Sequence, residues 1–476
     1  MQEKDLLTAK QNNSAASQAA PAENRMGWMP VNRLLLSMSA PMMASMLMQA
    51  LYNIVDSIYV SRINENALTA VSLVFPVQTL MIAFATGIGV GFNSLLSRSL
   101  GAGDKQRVNK SATNGIFLEL CAYLLFLLIG LTLPEWFMGT QTSDPEIFRY
   151  GVDYMRIVCC ACIGVYVQMT FERILQATGK TLYTMGTQSL GAIINVIMDP
   201  ILIFGYFGFP AMGVRGAALA TIFGQVVAAT IAILLNIFRN PEVNLSFRGF
   251  RPDREVIGQI MAVGLPSIVM QAIGSVMTYG MNRILIGFSS TATAVYGVYF
   301  KLNSFIFMPV FGLNNGLVPI VGYNYGAGKK ERIYEALKYA WIYAVGLMFL
   351  GFLAFQFGSA FFLRTFFKAS DHMVEIGVPA LRIISISFPL AGYCIVCGSV
   401  FQALGDGVYS LIVSVLRQLV ALLPVAYLLS LTGVLGNVWW SYVIAEVVSV
   451  AASTVFLKKM FRQRLSAMPS MQKGNS

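Results

Sequence analysis

Histidine and charge are what this sequence has least of. Its one histidine among 476 residues, His372, sits in a polar stretch between apolar blocks, so histidine-rich metal sites and Ser-His-Asp chemistry lose their main ingredient. Charged residues make up 12% of the chain, about half the share of a soluble domain and too few to coat a water-facing surface of this size. The six cysteines (Cys121, Cys159, Cys160, Cys162, Cys394 and Cys397) all fall inside apolar blocks. Cys394 and Cys397 have redox or zinc spacing, but no second ligand pair and no nearby histidine accompany them. Strand-like alternation is missing, which excludes an outer-membrane barrel. The N-terminal 25 residues are polar and hold no apolar core, so they do not read as a cleavable signal peptide.

What is present is apolar. Hydrophobic residues account for 56% of the chain and its mean hydropathy is +0.65. They come in blocks of about 20 or more, the length that crosses a ~30 Å hydrocarbon core at ~1.5 Å per residue. Twelve blocks are expected to span: 33–60, 68–97, 112–134, 148–176, 183–207, 213–238, 256–288, 293–322, 333–358, 375–402, 408–431 and 437–457. Several exceed the minimum, as tilted or projecting helices do. The net charge of +11 is unevenly placed: both terminal segments and the even-numbered connections hold 22 Lys and Arg, and the odd-numbered connections hold 5. By the positive-inside rule both termini are cytoplasmic, and the excess is a topology signal rather than a nucleic-acid footprint. A multi-pass protein of the bacterial inner membrane is expected, in contact with lipid and without a nucleic-acid partner.

The chain also repeats itself. Pro41 has a partner in Pro266, and Gly101-Ala102-Gly103 with its following basic residues matches Gly326-Ala327-Gly328, both 225 residues on; Gln176-Ala177-Thr178-Gly179 matches Gln402-Ala403-Leu404-Gly405 at 226. That offset covers six spans, an even number, so the halves share one orientation, with an axis along the membrane normal and a cavity between them. The fold class expected is an all-α polytopic membrane protein: twelve transmembrane helices in two six-helix bundles related by pseudo-two-fold symmetry about the membrane normal. Its divisions are a disordered cytoplasmic tail at 1–30, a first lobe at 31–238, a cytoplasmic linker at 239–255, a second lobe at 256–460 and a cytoplasmic tail at 461–476.

This pattern resembles the multidrug and toxic compound extrusion (MATE) family. Tyr52-Asn53-Ile54-Val55-Asp56-Ser57-Ile58 is similar to its first-helix motif. Asn195-Val196-Ile197-Met198-Asp199-Pro200, followed by Gly213-Val214-Arg215-Gly216, is similar to its fifth-to-sixth-helix motif. Phe171 to Thr181 resembles the MepA-like group of the DinF-like branch. The resemblance covers about residues 30–460 and implies export of lipophilic, often cationic, small molecules by antiport with H⁺ or Na⁺, through rocking of the two halves. It implies no organic cofactor. A monomer is expected.

Independently of the resemblance, acids in lipid mark a site, because a charge at the bilayer centre costs about 2.5–3.5 kcal/mol on insertion scales. Asp56, Asp199 and, one turn before it, Asn195 lie in the outer halves of the first and fifth spans, at the depth of Thr221 in the sixth. Two carboxylates, an amide and a hydroxyl suit a proton or Na⁺, and the resemblance places a cation-coupling cluster on the same four residues. Alternatives stay open: Asp56 in the outer headgroup region, Asp199 as the cap of a helix broken at Pro200, and Glu172 as an interfacial ion pair with Arg173. Pro41 is expected to kink the first helix; in the family a bend there is tied to protonation. Met48, Gln49, Gln168, Glu172 and Asn282 are candidate substrate-cavity residues, Asn282 standing where Asp56 stands in the first half. Lys301 and Glu446, at similar depths, are expected to pair or to share a hydrated network, leaving the second half without a free acid. Two other classes are weighed: a flippase for lipid-linked oligosaccharides from the same superfamily, which the acidic first half argues against, and an integral-membrane enzyme, for which clustered catalytic groups are lacking.

Overall fold

The computed structural model describes residues 24–466; the expected tails at 1–23 and 467–476 lie outside them. Among the described residues there are helices and connections and no strand. They run α1 (Arg25–Trp28), α2 (Val31–Ser61), α3 (Glu65–Gly101), α4 (Lys105–Thr132), α5 (Pro134–Gln141), α6 (Pro145–Cys160), α7 (Ile163–Ala177), α8 (Thr181–Phe204), α9 (Val214–Arg239), α10 (Arg254–Ile286), α11 (Ser290–Gly326), α12 (Lys330–Phe367), α13 (Asp371–Ser385), α14 (Phe388–Ala403), α15 (Gly407–Ser430), α16 (Leu435–Val438) and α17 (Trp440–Met460). Among the described residues ten helices are long and apolar enough to cross a membrane, the run Leu435–Leu465 counting as one; α6 with α7 and α13 with α14 each make one more when counted as a single span, bent by 42° and 46°. The fourth span of each half is thus broken in the same place, as a repeat requires.

Polar residues set the helix starts. Asn64 accepts from the Ala67 amide (2.7 Å), Asp104 from Arg107 (2.9 Å) and Ser289 from Ala292 (3.0 Å), each satisfying a first-turn donor that the helix itself leaves unpaired. The paired Gly-Ala-Gly motifs have two uses. Gly103 and Gly328, at φ 74° and 70°, turn the chain left-handed and end α3 and α11. Gly101 and Gly326 sit where these helices cross: a Cβ on Gly101 would run into the Tyr323 carbonyl, and one on Gly326 into the Arg98 carbonyl.

The two halves meet tightly at this end, which carries the basic connections and is called the basic end. The packing crosses the division expected between 31–238 and 256–460. The start of α2 (Val31, Leu34, Leu35, Met38) is buried, with Met26, in a core made otherwise of residues 281–465. The start of α10 (Val256, Ile260) belongs to the core of the first half. Both long helices therefore begin in one half and end beside the other.

One tail expectation is corrected, and the start of the other is described. Arg25–Trp28 is a helix with Met26 fully buried, rather than part of a disordered tail. Residues 461–465 continue the last helix as one wide turn, with Leu465 buried and Arg464 paired to Asp406 at 2.9 Å.

Candidate functional site in the first half

Asp56 comes from α2, Asn195 and Asp199 from α8, and Thr221 from α9; α8 packs against both other helices. Small residues permit this closeness: Gly191 on α8 and Gly224 on α9 face each other backbone to backbone. Asn195 donates to the Thr221 hydroxyl at 3.2 Å, which in turn donates to the Ala217 carbonyl at 3.1 Å. Asp199 is fully buried. Both of its carboxylate oxygens, Oδ1 of Asp56 and Oδ1 of Asn195 are buried and have no hydrogen-bond partner among the described residues. Asp56 is near enough to Asp199 for the Asp199 carboxylate to feel its charge. Four buried acceptors without donors form an unstable arrangement unless a proton or cation serves them. Among the described residues no three His, Cys, Asp or Glu converge, so an ion here would be held by two carboxylates and neutral oxygens. That donor set fits a hard monovalent cation such as Na⁺ as well as it fits a proton.

The alternatives for these acids now separate. Helix α8 runs through Pro200 without a break, so Asp199 is not a helix cap. Helix α2 likewise continues through Pro41; the residue lies inside a continuous helix. Asp56 is partly exposed and close enough to Asp199 for its charge to be felt there. Two tyrosines that sequence reasoning missed, Tyr52 and Tyr154, also sit close enough to Asp56 and Asp199 to feel both charges. Tyr52 had a signal, being one turn before Asp56 on the same helix face. Tyr154 arrives from α6, and nothing local in its sequence announces it.

A cavity of about 80 Å³ adjoins the site, lined among others by Gln49, Tyr52, Gln168, Gln188, Asn195 and Thr221. At its other side Glu172, almost fully buried, accepts from Gln168 (2.9 Å), Thr187 (2.8 Å) and Gln188 (2.7 Å). The Ser45 hydroxyl donates to the Gln188 side chain. Arg173 turns away, to Gln176 at 2.9 Å and Asn315 at 3.0 Å. The interfacial Glu172–Arg173 pair is therefore overturned: adjacent residues on a helix point about 100° apart. Gln49 and Gln168 do line this cavity. Met48 and Asn282 are half-buried and line neither it nor the central cavity.

The central cavity, about 240 Å³, lies between the halves and draws on both, with Asn93 and Arg173 from one and Asn314, Gln402 and Arg417 from the other. Here the expected Lys301–Glu446 pair is corrected. Glu446 binds Arg417 at 2.9 Å, while Lys301 is exposed and makes no ion pair among the described residues. Depth was similar but the face was not: Tyr299 is buried on α11, and Lys301, two residues on, points about 200° away from it. Arg417 lies in a wide turn, Leu416–Leu422, that shifts the register of α15.

With the geometry described, comparison with known proteins decides the family. The MatE family profile matches residues 41–201 and 266–428, one stretch in each half. The chain belongs to the MatE family. This MatE protein is 26% identical over 438 residues to the multidrug export protein MepA of Staphylococcus aureus (strain MRSA252), covering 92% of this chain and 95% of the relative. Against MepA of Staphylococcus haemolyticus (strain JCSC1435) it is 27% identical over 435 residues, covering 91% and 94%. Among solved structures it matches the outward-facing conformation of a multidrug resistance MATE family transporter of the MOP superfamily, with TM-score 0.87, 26% identity and coverage of 95% and 99%. A MOP superfamily transporter from Pyrococcus furiosus, whose binding pocket is described as reversed in polarity, matches with TM-score 0.87, 26% identity and coverage of 95% and 100%.

Proposed function

We propose that this MatE protein is a secondary active exporter that moves lipophilic, cationic compounds outward in exchange for inward H⁺ or Na⁺. One observation carries the reading: two carboxylates and an amide present four buried, undonated oxygens side by side, next to a cavity that leads to a third buried acid. An ion entering from outside occupies Asp56, Asp199 and Asn195, with Thr221 as a neutral oxygen. A cationic substrate competes for the same negative charge, so binding of one favours release of the other. Because α2 contributes Asp56 and also packs along α11, occupancy of the site is placed to bias how the halves meet. The basic end faces the cytoplasm, a reading the charge distribution supports, and the chain acts as a monomer of the inner membrane. Its work is transport, with no bond made or broken in the substrate.

The test is efflux of ethidium from proteoliposomes under separately imposed proton and sodium gradients. Asp56→Asn and Asp199→Asn should each slow gradient-driven efflux by about 5–150-fold, the range of a 1–3 kcal/mol coupling energy, with normal membrane insertion. The gradient that drives the wild type identifies the ion. Unchanged efflux in both variants would sink the reading, and flipping of a labelled lipid-linked sugar without ethidium efflux would replace it with the flippase.

A further inference from the structure

The connection between the halves is not a slack tether. Residues 240–253 form no regular helix or strand, yet they are pinned to the start of α4. The Asn244 amide donates to Asn109 Oδ1 at 2.8 Å, the Asp253 amide donates to Asn114 Oδ1 at 2.9 Å, and Val243 is buried. Between the pinned loop and α4 lies a cavity of about 590 Å³, lined among others by Lys110, Thr113, Arg248, Arg251 and Arg254. Its one acid, Asp253, is already engaged: it binds Lys110 at 3.0 Å and caps α10 through the Glu255 and Val256 amides at 3.1 and 3.3 Å. Arg248, Arg251 and Arg254 are exposed and make no ion pair among the described residues. The cavity therefore has a surplus of positive charge presented on planar forks, which match phosphate oxygens better than an ammonium does.

An apolar stripe starts at the same place. Phe250 packs on Phe117 of α4 at 5.8 Å and on Phe247 at 5.9 Å, and Phe247 is half exposed. From Phe117 the stripe continues through Leu120, Leu124 and Leu128, three and four residues apart on one face of α4, and all three leucines are exposed. Cations and phosphate-sized space thus stand directly above an outward apolar face of a membrane helix. The two meet where headgroup gives way to hydrocarbon.

We propose that this cavity binds the phosphate-bearing headgroup of an anionic membrane lipid, whose acyl chain lies along the Phe117–Leu128 face of α4. Basic pockets beside transmembrane helices at the cytoplasmic surface are suited to such headgroups. Seated there, the lipid ties the linker between the halves to the leaflet. A free phosphate would satisfy the arginines but leave the apolar stripe without a role. The inference needs only that the chain spans a membrane, so it stands or falls separately from the transport reading.

The test is thermal unfolding of the full chain in detergent, titrated with dioleoylphosphatidylglycerol, with dioleoylphosphatidylcholine and with inorganic phosphate. Phosphatidylglycerol should raise the Tm of the wild type. The double variant Arg248→Gln, Arg251→Gln should need about thirtyfold more of it for the same shift, the loss expected when two surface cations stop contributing. A control pair at the opposite end, Arg149→Gln with Arg364→Gln, should titrate like the wild type. Equal response of the Arg248/Arg251 variant, or an equal shift from phosphatidylcholine, overturns the proposal. A shift of the same size from inorganic phosphate alone overturns the lipid assignment in favour of a free-anion site.

Discussion

At the scale of single residues, charge and partner tell more than depth does. Asp56, Asn195, Asp199 and Thr221 were legible in the sequence because an acid in an apolar block is costly, and one turn of helix aligns Asn195 with Asp199. Glu446 was legible as an anomaly but not as a pair. Its partner depends on which way Arg417 points, and the wide turn at Leu416–Leu422 alters that direction without any mark in the apolar pattern. The pair supports a stability prediction. Glu446→Leu leaves the Arg417 guanidinium without its counter-charge and should cost toward the lower end of about 3–5 kcal/mol, since Arg417 still reaches the central cavity. Adding Arg417→Met should recover most of that loss, because a well-packed apolar replacement of a buried pair is often neutral. Thermal unfolding in detergent reads both, and a Glu446→Leu protein as stable as wild type would show that the pair contributes little. Ethidium efflux by the double variant should persist, because the site in the first half is intact.

At the scale of elements, helix existence was plain and helix continuity was not. Pro41, Pro200 and Pro266 all sit inside continuous helices, so proline in an apolar block did not mark a helix end here. The helix breaks, between α6 and α7 and between α13 and α14, fall at Ala161-Cys162 and Ile386-Ser387. No proline lies within either break, and only Pro389, at the second residue of α14, adjoins one. The repeated glycines were visible as a repeat, but their steric use is a property of the crossing. Gly101→Val would drive a side chain into the Tyr323 carbonyl on α11. Overpacking of this kind costs about 1–3 kcal/mol, so the arrangement with the basic end closed should lose about 5–150-fold in population relative to one with the halves parted there. Spin labels at Lys105→Cys and Glu331→Cys, both exposed positions, in a background without native cysteines, would report the separation. A distance distribution identical to that of the parent would mean that the crossing relaxes around the new side chain.

At the scale of the molecule, the segment Asn24–Met29 straddles the two halves at the basic end. Asn24 donates to the Thr178 carbonyl at 3.0 Å and to Glu242 at 2.6 Å, and Arg25 donates to the Gly179 carbonyl, all in the first half or the linker. From the other half, Asn324 donates to the Met26 carbonyl at 3.1 Å, Lys329 to Gly27 at 2.9 Å and Arg332 to Met29 at 2.6 Å. Any motion that parts the halves at this end must break one set of these bonds. Glu242 makes that step pH-dependent. Burial holds its carboxyl above the usual glutamate value, outweighing Lys180, the Asn24 bond and Arg25, which pull it down, and its Oε2 has no hydrogen-bond partner among the described residues. A group whose folded value is raised stabilises most below its unfolded value, about 4.3 for glutamate, and loses that contribution as pH climbs through the folded value. The basic end should therefore be held most firmly in acid and loosen as pH rises above the unfolded glutamate value. Label distances across the basic end, measured over that range, should widen with pH in the parent and change much less in Glu242→Gln, which keeps the neutral, hydrogen-bonding form throughout. If the variant follows the parent's profile, the pH response belongs to another group and the bridge is a static contact.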